Sequence, residues 1–105
     1  MYYFDLDTPE ELAEQLASKV QRRRLEKGLS RAALSRLSDV PAPTIAKFEQ
    51  EHTISLQSFL SIVKALGHSD DIKLVLSEPK YNTIEELDQI NKNKNRQRGR
   101  DEKGR

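Results

Sequence analysis

At 105 residues, with 35% hydrophobic and 33% charged content, the chain has room for one small domain with extras, and its core must be confined to part of the sequence. The lack of cysteine excludes a disulfide framework and a thiolate metal site, and no apolar run approaches the roughly 20 residues of a membrane span. The formal net charge of +1 hides an uneven spread: residues 1–90 carry 11 Lys and Arg against 15 Asp and Glu, while residues 91–105 carry 7 against 2. An acidic body with a basic end concentrates polyanion binding in patches.

The opening Met1-Tyr2-Tyr3-Phe4-Asp5 lacks the basic-then-apolar layout of a signal peptide, so a cytoplasmic location is expected. Thr8-Pro9-Glu10-Glu11 reads as a helix start: Thr8 caps, Glu11 reaches back, Pro9 suits the first helical position, and the carboxylates meet the positive end of the dipole. The helix is expected to run to about Lys27, to bury Leu12, Leu16, Val20 and Ala13/Ala17, and to end at Gly28. Ser30 then caps a second helix with Leu34 and Leu37 as its apolar edge. Ser38-Asp39 breaks the pattern, and a third helix turns Val40, Ile45 and Phe48 to the same core.

After a polar loop over 50–53, a fourth helix over Ser55–Leu66 is the most apolar element, stopped by Gly67. Ser69-Asp70-Asp71 is expected to cap a fifth segment, Ile72–Leu76, whose pattern fits a strand or a helix; its opening favours the helix. Pro79 ends it. Thr83-Ile84-Glu85-Glu86 is a second capping box, opening a small helix with Ile84, Leu87 and Ile90 on one side. Beyond Asn91 there is no apolar residue, and the basic run 92–105 is expected to be disordered.

The stretch 30–49 carries the functional signal. A helix held by one face, with short groups and a cation on the other, can enter a DNA major groove. Here the free face is Ala42, Pro43, Thr44 and Lys47. Lys47 can donate to guanine or to a phosphate, Thr44 can donate or accept, Ala42 offers a methyl to thymine, and Pro43 contributes shape. Direct readout is thin, so DNA shape is expected to supply much of the specificity. The alternative is a packing unit that binds no DNA.

These residues resemble the helix-turn-helix of the Cro/C1-repressor class. Family members usually open the first motif helix with Ser-Gln-Glu-Glu-Leu-Ala and turn through Gly-Val-Ser; this chain has Ser30-Arg31-Ala32-Ala33-Leu34-Ser35 and Asp39-Val40-Pro41. The resemblance spans roughly Leu12–Gly67 and keeps the apolar skeleton: Leu25, Leu29, Leu34, Val40, Ile45, Phe48, Leu56, Phe59, Ile62, Val63 and Leu66. It implies an all-α fold, a five-helix domain over 1–78 with a short C-terminal helix over 79–91 for dimer or partner contact, and a disordered basic tail over 92–105. It also implies that Arg31 stands where relatives contact DNA, and that Arg24 pairs inward with Glu49 as a structural salt bridge. Gln50 and Gln57 complete the expected DNA-contacting set on the domain.

In the tail, Arg96, Arg98 and Arg100 are DNA-contacting candidates. Arg98-Gly99-Arg100 resembles the core of an AT-hook without its prolines; generic phosphate binding and a protein contact are the other readings, and generic phosphate binding is preferred. Tyr81 to Asp88 followed by Arg96-Gln97-Arg98-Gly99-Arg100 is similar to regulators encoded beside HipA-type kinase toxins, the HipB-like antitoxins. That similarity implies a homodimer on a double-stranded operator, autoregulation and a HipA-like kinase toxin as partner. His52 and His68 have no second ligand at metal spacing, the paired carboxylates lie at helix starts, and no nucleophile–base set or phosphate loop is present. Neither enzymatic activity nor a cofactor is expected; the rival reading is a toxin inhibitor that works by direct contact, with DNA binding secondary.

Overall fold

A computed structural model describes residues 7–103, with side chains through residue 96. All six elements among the described residues are α-helices, in keeping with the expected fold class. Contacts divide the chain after Val75 into two units.

The first unit holds five helices. Helix α1 (Pro9–Glu26) begins on a capping box: Thr8 Oγ1 accepts from Glu11 N at 3.0 Å and Glu11 Oε1 from Thr8 N at 2.8 Å. It ends at Gly28 in the left-handed region, φ +70°, where Leu29 N returns to Arg24 O. Helices α2 (Arg31–Ser38) and α4 (Leu56–Ala65) are capped by Ser30 and Ser55, whose hydroxyls accept from Ala33 N and Ser58 N. Between them lies α3 (Ala42–Glu51), which starts at Pro41 without a side-chain cap; Pro41 O accepts from Thr44 N and Ile45 N instead. Helix α5 (Ser69–Lys73) closes the unit.

One core holds these helices together. Ala17, Val20, Leu34, Val40, Ile45, Phe48, Ile62 and Leu66 are buried in a single cluster, and Leu34, Ile45 and Ile62 have no measurable exposure. Each such aliphatic side chain contributes about 1.5–3 kcal/mol by leaving water. Phe48 meets Phe59 edge to face, centroids 5.7 Å apart at 69°, a geometry the ring quadrupoles favour. Through these contacts α3 rests on α1 and α2.

Several expectations need correction. Leu12 and Leu16, expected inside, stay 41% and 44% exposed; α1 buries only Ala17, Val20 and Arg24 fully. Leu25, Leu37 and Leu56 are also exposed: apolar periodicity marks a face, but only a neighbouring element can cover it. Ser69-Asp70-Asp71 does not precede the fifth helix but forms its first turn, and Leu74–Leu76 lie beyond its end. Its type is helix, as the acidic opening favours.

The second unit is dominated by helix α6 (Ile84–Lys103), twenty residues long. Thr83 caps it, accepting from Glu86 N at 3.0 Å. The run from residue 92, expected to be disordered, continues this helix to Lys103. The expectation rested on missing apolar residues, but a polar helix can be held by other means. Lys, Arg and Gln are good helix formers and no proline interrupts them. Acidic residues stand at its start and basic ones dominate later turns, which complements the macrodipole, and Gln89 Nε2 donates to Asn93 one turn on.

Candidate nucleic-acid interface

The second motif helix, α3, is held by Ile45 and Phe48, with Val40 buried just ahead of it. A 100° step per residue then sets its free face. Pro43, Lys47 and Gln50, three and four residues apart, are exposed on one stripe; Ala42 and Thr44 are half-buried at its margins. Ala46, absent from the expected set, lies half-exposed on the same stripe, three after Pro43 and four before Gln50; that spacing was the available signal. Gln57 is exposed in the first turn of α4. The first turns of α2, α3 and α4 contain no acidic residue, whereas those of α1, α5 and α6 do. The amide ends of the motif helices are therefore not offset by carboxylates of their own.

The corner between α2 and α3 is built by Ser38 and Asp39. Buried Ser38 donates through Oγ to Leu34 O at 2.7 Å and accepts from Val40 N at 3.2 Å, satisfying a donor that the turn removes from helical bonding. Asp39 takes φ 64°, the left-handed conformation that glycine adopts without a steric cost. Ser38 is not singled out by the sequence, where it reads only as a pattern break.

Behind α3 lies a charged cluster. Arg24 Nε and Nη2 donate to Glu49 Oε2 at 2.7 Å and Oε1 at 2.9 Å, a two-pronged pair, and Nη1 donates to Leu29 O at 2.8 Å. Glu49 has only 1% side-chain exposure. Arg31 joins it: Nε donates to Glu49 Oε1 at 3.0 Å while the side chain stays about a third exposed. Burial pushes the Glu49 carboxyl up, but the hydrogen bonds from Arg24 and Arg31, with their charges, outweigh it and hold the group below the usual carboxylate range. The bond to Glu49 raises Arg24, against burial. Arg31, expected to face DNA, is thus tied through Nε to Glu49 of α3.

This cluster has a pH signature. A carboxyl with a lowered folded pKa adds stability above its unfolded value, about 4.3, and loses it as pH falls through the folded value. The stability gap between wild type and Glu49→Gln should therefore close as pH drops below about 4. Urea melts from pH 6 to 3 check it; a gap that stays constant contradicts the assignment.

Arg96 is exposed on α6; Arg98 and Arg100 lie within the same helix, and their side chains fall outside the described residues. The AT-hook-like run is thus helical in its backbone. No metal-binding cluster of His, Asp or Glu occurs among the described residues, and no helix among them is long and apolar enough to cross a membrane.

No curated protein and no solved structure matches the chain. Residues 20–72, half of its length, match the helix-turn-helix family, from the middle of α1 to α5. With a buried Ile45–Phe48 face, a capped first motif helix and a left-handed corner, the chain belongs to the helix-turn-helix family in its Cro/C1-type form, a class of DNA-binding transcriptional regulators.

Proposed function

We propose that this regulator is a homodimer that binds a palindromic operator sequence-specifically, and that it is the antitoxin component of a HipA-type toxin–antitoxin operon. The observation that carries operator binding is the free stripe of α3, with Lys47 and Gln50 exposed and Thr44 at its edge. Pro43 shares that stripe and Ala42 lies at its margin; Arg31 and Gln57 complete the contact set on the domain, and Arg96, Arg98 and Arg100 add phosphate contacts. Two such helices in successive major grooves stand about 34 Å apart. The division of labour is a DNA-binding part over 1–78, a contact segment over 79–91 and a basic run over 92–105. Support for the antitoxin role is the Thr83-Ile84-Glu85-Glu86-Leu87 cap followed by that run, similar to HipB-like antitoxins.

Fluorescence anisotropy with a duplex from upstream of the chain's own gene, against a shuffled duplex, tests operator binding. A preference of at least roughly a thousandfold is expected, as for specific regulators; equal affinities refute it. Deleting residues 92–105 should make log affinity fall less steeply with log salt, by about one unit of slope for each phosphate the tail neutralises. An unchanged slope removes the tail from the phosphate backbone. Co-purification with a kinase encoded beside the gene tests the antitoxin role, which fails if the two proteins do not associate.

A further inference from the structure

The regulator's first unit carries an apolar groove of about 470 Å³ on the side of α1 that faces α4 and α5. Leu16, Phe59, Ile72 and Val75 line it; Leu16 is 44% and Val75 61% exposed. Three cations of α1 stand along one wall: Lys19, Arg22 and Arg23, the last also donating through Nη2 to Glu26 Oε2 at 3.0 Å. On the opposite wall the carboxylate of Asp71 is engaged by His68 Nδ1 at 2.8 Å. The groove thus offers an apolar floor beneath a basic wall. A second copy of the same groove cannot fill it, because two rows of α1 cations would meet across the two-fold axis.

Helix α6 has the complementary character. In its first two turns Ile84, Leu87 and Ile90 form one narrow apolar stripe, three residues apart, with Ile84 75% exposed and Leu87 and Ile90 half-buried. A 100° step per residue sets Glu86 on one margin of that stripe and Asp88 on the other. An acidic-rimmed apolar ridge and a basic-walled apolar groove therefore occur in one sequence.

We infer that the groove of each protomer receives the Ile84–Leu87–Ile90 stripe of α6 from a second copy, with one acidic margin of the stripe against Lys19 and Arg23. The arrangement is reciprocal, so one two-fold axis generates two equal contacts and closes the dimer. It rests on the dimeric reading above and adds which surfaces meet.

Charge reversal tests it. One variant carries Lys19→Glu and Arg23→Glu; the other carries Glu86→Lys and Asp88→Lys. Circular dichroism verifies that each keeps its helix content. By sedimentation equilibrium, each variant alone should dimerise at least roughly tenfold more weakly than wild type, since like charges now face each other. An equimolar mixture should regain wild-type affinity, because both contacts of the mixed dimer again join opposite charges. A wild-type chain that is monomeric overturns the dimeric reading and this inference together. A wild-type dimer that both variants leave unchanged overturns the inference alone. Weakened variants that do not rescue each other, while the fourfold variant recovers, place α6 in its own protomer's groove and overturn the exchange.

Discussion

Replacing Glu49 by Ala should lower the unfolding free energy by about 3–5 kcal/mol, the range for breaking a buried ion pair by removing one partner. The loss is larger than the worth of the pair, because of what remains behind. Arg24 is 7% exposed in its side chain and cannot reach water without moving α1 or α3. Leu29 O still accepts one of its protons, but two donors are left without a partner. Arg31, already a third exposed, turns to solvent at little cost. For a domain of this size the change is a large share of a total near 5–15 kcal/mol. Urea denaturation near pH 7 measures it; a change below about 1 kcal/mol would mean that the cluster is wetter than its burial indicates. Arg31→Ala should cost far less, since it leaves the Arg24–Glu49 pair intact.

The double substitution Thr44→Ala and Lys47→Ala should erase operator preference while sparing the fold. Among the described residues neither side chain has a hydrogen-bond or ion-pair partner, and Lys47 is exposed. Stability should therefore shift by only about 0.5 kcal/mol, as for ordinary surface changes. The DNA effect is larger: each good base contact discriminates by about 1–3 kcal/mol, and a symmetric site counts it twice. Operator preference over a shuffled duplex should fall at least roughly a hundredfold, while non-specific affinity changes little apart from any phosphate contact of Lys47. Competition gel shifts at fixed salt give the ratio. A ratio unchanged from wild type would remove the outer stripe of α3 from base recognition.

How much of this is legible in the sequence varies with the range of the interaction. Caps are legible because they are local: Thr8, Ser30, Ser55 and Thr83 each act within three residues. Leu34, Val40, Ile45 and Phe48 are legible because their spacing leaves one shared inward face. Leu12, Leu16 and Leu37 carry the same kind of spacing, yet nothing in their own segments says whether another element arrives to cover them. The link from Arg31 to Glu49 joins residues 18 apart in the chain and depends on how closely α2 approaches α3. Helix α6 reads as coil past residue 91 when hydrophobicity is the criterion, whereas its turns are held by propensity and charge order.

Asp39 and His52, each just past a motif helix, sit at φ 64° and 66°. A β-carbon is crowded there, least severely for a short polar side chain such as that of Asp. Both halt signals thus run against the handedness of their own residues, and both lie off the stripe that would meet bases. Evolution, or an engineer, can adjust how firmly this motif is folded at two points without rewriting what it reads.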